Sequence, residues 1–338
     1  MIRKLAVISL LLAFVVVVLG AYVRLSDAGL GCPDWPGCYG QLSPHHAQAE
    51  IQAAQSVNAQ GPVSMPKAWK EMIHRYIAST LGVLILAIAF LSLRRFSREG
   101  VSAFAAVLLV GVVVFQGLLG MWTVTLLLKP AIVSMHLLGG LSVLGMLTWI
   151  LLRESGVARH AAGIKLAGAA RLGLILLILQ IALGGWVSTN YAALACPDFP
   201  TCQNSWLPNM DFANAFHMFR ELGRTAEGEL LSGAAMTAIH FAHRVGAVFV
   251  GAYLLAFAWR LKRHDEMRGI ALILIIAVCA QIALGISNVV FNLPLPVAVA
   301  HNAIAALLVI VTVAINYRLR GVTAGAHMER IWNERLAT

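Results

Sequence analysis

Charged side chains are scarce in this sequence. Only 12% of its 338 residues are Asp, Glu, Lys or Arg, whereas about 25% is usual for soluble domains. Hydrophobic residues make up 59% of the chain, and its mean hydropathy is +0.80. This composition excludes an ordinary soluble globular protein and predicts a protein of the lipid bilayer.

Long uncharged runs support this prediction, because a helix needs about 20 apolar residues to cross roughly 30 Å of hydrocarbon. The first run is interpreted as a retained helix rather than a signal peptide, since no small-residue cleavage site follows it closely. The sequence therefore predicts an all-α membrane protein with eight transmembrane helices. They are expected near residues 4–23, 76–93, 103–127, 131–152, 171–190, 235–259, 269–291 and 295–317.

The net charge of +10 is unevenly distributed. Eight spans place 17 of the 25 Lys and Arg residues, but only 6 of the 15 acids, on the side that carries both termini. The positive-inside rule makes that side cytoplasmic. We therefore expect a multi-pass protein of the cell (cytoplasmic) membrane with cytoplasmic N and C termini. This distribution argues against a nucleic-acid partner.

Cysteine is also rare, with five residues in the chain, and four of them lie in two similar segments. GCPDWPGC contains Cys32 and Cys38, and ACPDFPTC contains Cys196 and Cys202. Both segments lie in loops predicted to face outward, where disulfides can persist. We predict one short disulfide loop from each pair. A redox-active dithiol and a metal-receiving site remain alternatives.

The two cysteine segments belong to a longer internal repeat. GAYVRLSDAGLGC aligns with GGWVSTNYAALAC, IHRYIASTLG with AHRVGAVFVG, FQGLLG with AQIALG, and MHLLGG with AHNAIA, at offsets of 164–169 residues. Each half has four spans, so both enter the membrane in the same sense, as in a parallel repeat. We predict two tandem pseudo-symmetric four-helix bundles, at residues 1–155 and 170–320, followed by a cytoplasmic tail at 321–338. Each bundle core can hold a cofactor.

Histidines recur at matched places in the repeat. His74 and His136 lie in the first half, and His243 and His301 in the second, each near the outer end of an even-numbered span. Histidine inside a membrane helix is costly and usually faces a functional interior. Two facing imidazoles form an axial pair for haem iron. The alternatives are packing or interfacial histidines, and a zinc or copper site, although closed zinc sites use four ligands.

An arginine follows the first histidine of each half, at Arg75 and Arg244. These side chains are predicted to contact haem propionates, with snorkelling to the interface as the alternative. Gln116, Gln180 and Gln281 recur in QxxLG contexts and are expected to form interhelical hydrogen bonds.

The two halves differ three residues before the first histidine, where Glu71 corresponds to His240. Glu71 shares a helix face with His74. There, a carboxylate could act as a general base toward water or stabilise developing positive charge. The alternative is a solvated acid at a helix start.

Taken together, the eight spans, the repeated histidines and the motifs EMIHR, AHRVG and CPDWPGC closely resemble the haem A synthase family. The resemblance implies conversion of haem O to haem A, through successive hydroxylations of the C8 methyl group to a formyl group. It implies that His74 and His136 flank the substrate haem O. It also implies that His243 and His301 ligate a haem b that passes electrons. Glu71 matches the essential acid of the family.

Two other functions remain open at this stage. One is a two-haem b-type membrane cytochrome that only transfers electrons, and the other is a haem carrier for oxidase assembly. For the enzyme, the expected partners are a haem O synthase (a prenyltransferase) and an electron acceptor such as quinone. In the outer loops, PKAWKEM and FHMFRELGRTAEGEL are predicted to form short amphipathic helices along the interface.

Overall fold

A computed structural model of the chain describes residues 1–99, 103–158 and 164–320, and all regular elements in these ranges are helical. The predicted tail at 321–338 lies outside the described residues. Eight of the helices are long and apolar enough to cross a membrane, which confirms the predicted number of spans. They are α1 (Ile2–Leu25), α3 (Met65–Glu99), α4 (Phe104–Thr125), α5 (Pro130–Glu154), α6 (Ile164–Thr189), α8 (Gly233–Leu261), α9 (Asp265–Val290) and α10 (Leu295–Leu319). The described part of the chain also has two short α-helices, α2 (Gln48–Val57) and α7 (Phe212–Ala215), and a 3₁₀ turn at Ala192–Leu194.

Short turns fix the antiparallel pairing of neighbouring spans. The turn from α4 to α5 uses a left-handed backbone at Leu127 and Leu128, and the turn from α9 to α10 does so at Asn292 and Leu293. Both following helices have a proline within their first two residues, where the missing amide hydrogen costs no helical hydrogen bond. The repeat seen in the sequence therefore extends to backbone conformation.

The long helices pack in two cycles. In the first half, α1 contacts α3, α3 contacts α4, α4 contacts α5, and α5 returns to α1. In the second half, α6, α8, α9 and α10 form the equivalent cycle. The two cycles meet through α5 against α10, α1 against α10, and α5 against α6. Two four-helix bundles would give this pattern, while the domain boundaries and the cytoplasmic termini stay predictions.

Equivalent residues of the two halves touch each other on the cysteine-loop side. Arg24 donates a hydrogen bond to the carbonyl of Ser188 at 2.7 Å. The Tyr191 hydroxyl donates to Asp27 at 3.1 Å. Both pairs are separated by 164 residues, which is the repeat offset. A residue contacts its own equivalent only near a two-fold axis, so these contacts are those expected of a pseudo-two-fold arrangement.

The largest apolar cluster fills the parts of the helices distant from the cysteine loops, for example from Leu81 to Ala89 of α3 and from Leu254 to Leu261 of α8. Two smaller clusters lie beneath the loops, one around Cys32 and Met72 and the other around Trp186. The repeated histidines lie along the helices between the large cluster and the small ones.

The two amphipathic helices predicted in the outer loops are wrong. PKAWKEM is the first part of α3, because Pro66 is compatible with a helix start and no breaker separates it from the apolar run that follows. FHMFRELGRTAEGEL is not helical. Its glycines, Gly223 and Gly228, have a left-handed backbone, and Arg224 forms an isolated bridge with Leu230.

Candidate functional site

The repeated histidines lie on opposite helices of each cycle. His74 is on α3 and His136 on α5, and they are close enough to interact electrostatically. His243 on α8 and His301 on α10 form the equivalent pair. All four imidazoles are half-buried. The structure therefore brings together both pairs that the sequence predicts.

A glycine on a neighbouring helix faces each of these imidazoles. A Cβ added to the glycine would lie only 2.9–3.3 Å from the Cε1 atom of the ring, whereas ordinary carbon contacts are about 3.5–4.0 Å. Around each cycle, histidine and glycine thus alternate. These glycines were not predicted from the sequence, although they lie in aligned segments of the repeat. The four contacts are Gly20 with His74, Gly120 with His136, Gly184 with His243 and Gly285 with His301.

Three of the four rings have an unused buried nitrogen. Counting partners over the described part of the chain, the Nδ1 atoms of His74, His136 and His301 have no hydrogen bond. Buried polar atoms in proteins are nearly always paired. Buried imidazole nitrogens without a hydrogen bond, on rings that face one another across a bundle, are what a site for a further group would contain. Paired imidazoles on opposite helices suit a porphyrin iron, so the residues present fit a haem in each half.

The three glutamines form interhelical hydrogen bonds next to the histidines, which confirms that prediction. Gln116 donates to the carbonyl of His136 at 2.8 Å. Gln281 lies 3.1 Å from Nε2 of His301. Gln180 donates to the carbonyl of His243 at 2.9 Å and lies 2.9 Å from its Nδ1.

Glu71 is buried, with 4% of its surface exposed. Its carboxylate accepts a hydrogen bond from the amide of Cys32 at 2.9 Å and forms an ion pair with Arg75. The alternative of a solvated helix-start acid is therefore wrong. The acid joins the first turns of α3 to the cysteine loop above them.

Arg75 extends this network over the first cysteine loop. Besides pairing with Glu71, its guanidinium donates to the carbonyls of Asp34, Pro36 and Gly37 at 2.6–3.2 Å. The same side chain therefore positions both the acid and the loop. Contact of Arg75 with a haem propionate stays a prediction.

His240 occupies the place of Glu71 in the second half. The amide of Cys196 donates to its Nδ1 and Arg244 donates to its Nε2, both at 3.3 Å. A neutral imidazole has one acceptor nitrogen, so it satisfies only one of these donors at a time, whereas a carboxylate accepts several. Arg244 also donates to the carbonyls of Thr201 and Cys196 at 2.8 Å. Having His240 in place of a glutamate therefore keeps the contact with the cysteine loop and removes a negative charge.

Both predicted disulfides are present and confirm the pairing of the cysteines. Cys32 bonds to Cys38 and Cys196 to Cys202, with Cα atoms 4.9 and 4.6 Å apart. In each loop, the second cysteine exchanges two backbone hydrogen bonds with the residue three positions on, Gln41 or Ser205. The loops are therefore equivalent covers on the two halves.

Comparison with known proteins gives a consistent result. The description "Cytochrome oxidase assembly protein" belongs to the family model that matches residues 3–313. A protein of Shewanella oneidensis named heme A synthase is 45% identical over 92% of this chain and 94% of its own length. Proteins of the same name from Halalkalibacterium halodurans and Sphingopyxis alaskensis are 28% and 29% identical, over 87% and 91% of this chain and 89% of their own lengths.

Proposed function

Because the chain belongs to the haem A synthase family of cytochrome oxidase assembly proteins, we propose that it oxidises the C8 methyl group of haem O to a formyl group, giving haem A. The family makes it an oxidoreductase of haem A biosynthesis, and its spans make it a multi-pass membrane protein. The observation that carries the finer proposal is the difference between the halves. Each half has a histidine pair facing glycines, but among the residues that the structure describes only the first half has a buried carboxylate beside its pair.

We assign haem O to the first half, between His74 and His136. The second half would hold haem b through His243 and His301. A haem with two histidine ligands has no free coordination position, so it supplies electron transfer. The unpaired ring nitrogens and the facing glycines in both halves support this assignment.

Glu71 is the proposed catalytic acid. It lies one helical turn from His74, accepts a hydrogen bond from the Cys32 amide and forms an ion pair with Arg75. An ionised carboxylate can take a proton from water or stabilise positive charge at the methyl carbon. With water as the oxygen source, conversion of the methyl to the formyl group releases four protons and four electrons. The reaction thus needs an electron acceptor, for which we propose a quinone.

The apolar substrate argues for delivery within the bilayer, and we propose a haem O synthase as the supplier. The charge distribution supports a location in the cell membrane, with the cysteine loops and both histidine pairs toward the outer side.

Chromatography of the haems extracted from the purified protein tests this function. The host should make haem O and have no other route to haem A. We expect haem A, or its hydroxylated precursor, together with haem b. Glu71→Gln should lose haem A and keep haem b, because the amide retains the size of the side chain but not its charge. His240→Gln is the matched control, since it changes the equivalent loop contact in the other half and should still form haem A.

Three results would contradict the proposal. If Glu71→Gln accumulates as much haem A as the wild type, the acid has no catalytic role. If the wild-type protein contains only haem b, it is an electron-transfer cytochrome. Unchanged haem O with no oxidised product would instead indicate a haem carrier.

A further inference from the structure

The second outer loop has an exposed apolar segment at residues 212–219, with the sequence FANAFHMF. Four large side chains project from it: Phe212, Phe216, Met218 and Phe219. Phe219 is 96% exposed and Met218 57% exposed. The segment contains no Asp, Glu, Lys or Arg. Such a group of exposed apolar side chains marks a surface that contacts something other than water.

Buried polar contacts hold this segment in place. The Trp186 indole donates to the carbonyl of Ala215 at 2.9 Å. Arg220 is 4% exposed. It donates to the side chain of Asn190 at 2.7 Å, and its guanidinium lies over the Trp186 ring. Since the middle of the segment and its C-terminal end are fixed to the end of α6, its apolar side chains keep a defined outward direction.

The segment packs against the outer ends of α6 and α8. Ala215 packs in one apolar cluster with Trp186 of α6 and with Ala238 and Ile239 of α8. Arg260 lies in the last turn of α8. A helix needs roughly 20 residues to cross the hydrocarbon. Measured along α8 from Arg260 toward the cysteine loops, that length ends near His240. Residues 212–219 therefore lie at the level where the hydrocarbon gives way to lipid headgroups.

The first half offers a contrast at the corresponding loop. Its helix α2 buries Ile51 and exposes polar side chains such as Gln48, Glu50 and Gln52. This composition is typical of a surface in contact with water. The second half has replaced a polar covering element with an aromatic one.

We propose that residues 212–219 insert into the headgroup region of the bilayer on the cysteine-loop side, as a lipid-contacting element of the second half. Phenylalanine is typical of elements that lie in the interface plane and bury an apolar face at the boundary between headgroups and acyl chains. The segment packs against Ala238 and Ile239, at the outer end of the α8 span, and this depth selects lipid as the occupant over a soluble protein.

Spin-label accessibility in liposomes tests the proposal. The full-length protein would carry Cys279→Ala, because this free cysteine is exposed, and a nitroxide would be attached at Phe219→Cys. Gln52→Cys on α2 gives the aqueous reference, and Phe249→Cys, exposed in the middle of α8, gives the lipid reference. Collision rates with molecular oxygen, which partitions into lipid, and with a water-soluble nickel chelate are then compared.

We expect the ratio of oxygen to nickel collisions at position 219 to exceed that at position 52 several-fold and to remain below that at position 249. The ratio measured at Met218→Cys should also lie between the ratios at positions 52 and 249. A ratio equal to that at position 52 would mean that the segment faces water. Low collision rates with both reagents would mean that a protein, either a partner or a second copy, covers it. Either result overturns the proposal.

Discussion

The glycines that face the histidines give the sharpest test of the proposed haem sites. In Gly184→Ala, the new Cβ would lie 2.9 Å from Cε1 of His243. An ordinary carbon contact is about 3.5–4.0 Å, so the imidazole must move by about 0.6–1 Å. Such overpacking costs about 1–3 kcal/mol. Replacing glycine by alanine inside a helix stabilises the helix by about 1 kcal/mol. The net loss of stability should therefore be about 0–2 kcal/mol.

The effect on haem should be larger than the effect on folding, because a displaced imidazole no longer aligns with its partner across the bundle. We expect Gly184→Ala to lose haem b from the second half while the first half still binds its substrate. Haem extraction per mole of protein, visible absorbance and thermal unfolding measure the two effects separately. Gly269→Ala is the matched control, since it lies on α9 with no atom within 4 Å of the added Cβ. It should bind haem normally and be slightly stabilised.

One outcome would refute this reasoning. If Gly184→Ala binds haem b with an unchanged spectrum and is as stable as Gly269→Ala, the close approach of glycine to imidazole has no role in the site. The mirror variant Gly20→Ala, at 3.0 Å from His74, should instead affect the substrate half. Loss of haem b from that variant would show that the halves are not independent.

Two further predictions concern the second half. Gln180→Val removes hydrogen bonds to His243 and should lower the thermal stability of the haem-free protein by about 1–2 kcal/mol; unchanged unfolding would contradict this. In the loop, the Thr201 hydroxyl and two backbone amides hold the pKa of the Asp198 carboxyl below its ordinary value. This contact therefore stabilises the loop above the unfolded pKa of about 3.9 and is lost as the pH falls through the lower folded pKa. The hydrogen-exchange protection factors of the loop amides should fall on acidification below about pH 4 in the wild type. Asp198→Asn should lack this fall.

Much of the architecture could be predicted from the sequence because its signals are periodic or repeated. Uncharged runs of membrane length determine the number of spans, and matched spacing identifies the cysteine pairs and the histidine pairs. The facing glycines were present in the aligned segments, but Gly184 and Gly285 resemble ordinary membrane-helix glycines until the packing shows which side chain each one meets. The prediction of short outer helices is wrong for a different reason. A local apolar pattern around Phe216 does not reveal that Arg220 and Trp186 fix the segment in a non-helical conformation.

Glu71 and His240 occupy equivalent positions in the two halves of the repeat. The residue types alone suggest a division of labour between the halves, because only one of the two histidine pairs is accompanied by an acid at this position. The structure adds that both side chains accept from the amide of the first loop cysteine and contact the arginine one turn later. The loop contact is therefore common to both halves, and the difference that remains is one negative charge. Placed one turn from His74, that charge would favour positive charge developing in the first site, which is the electrostatic basis of the proposed reaction.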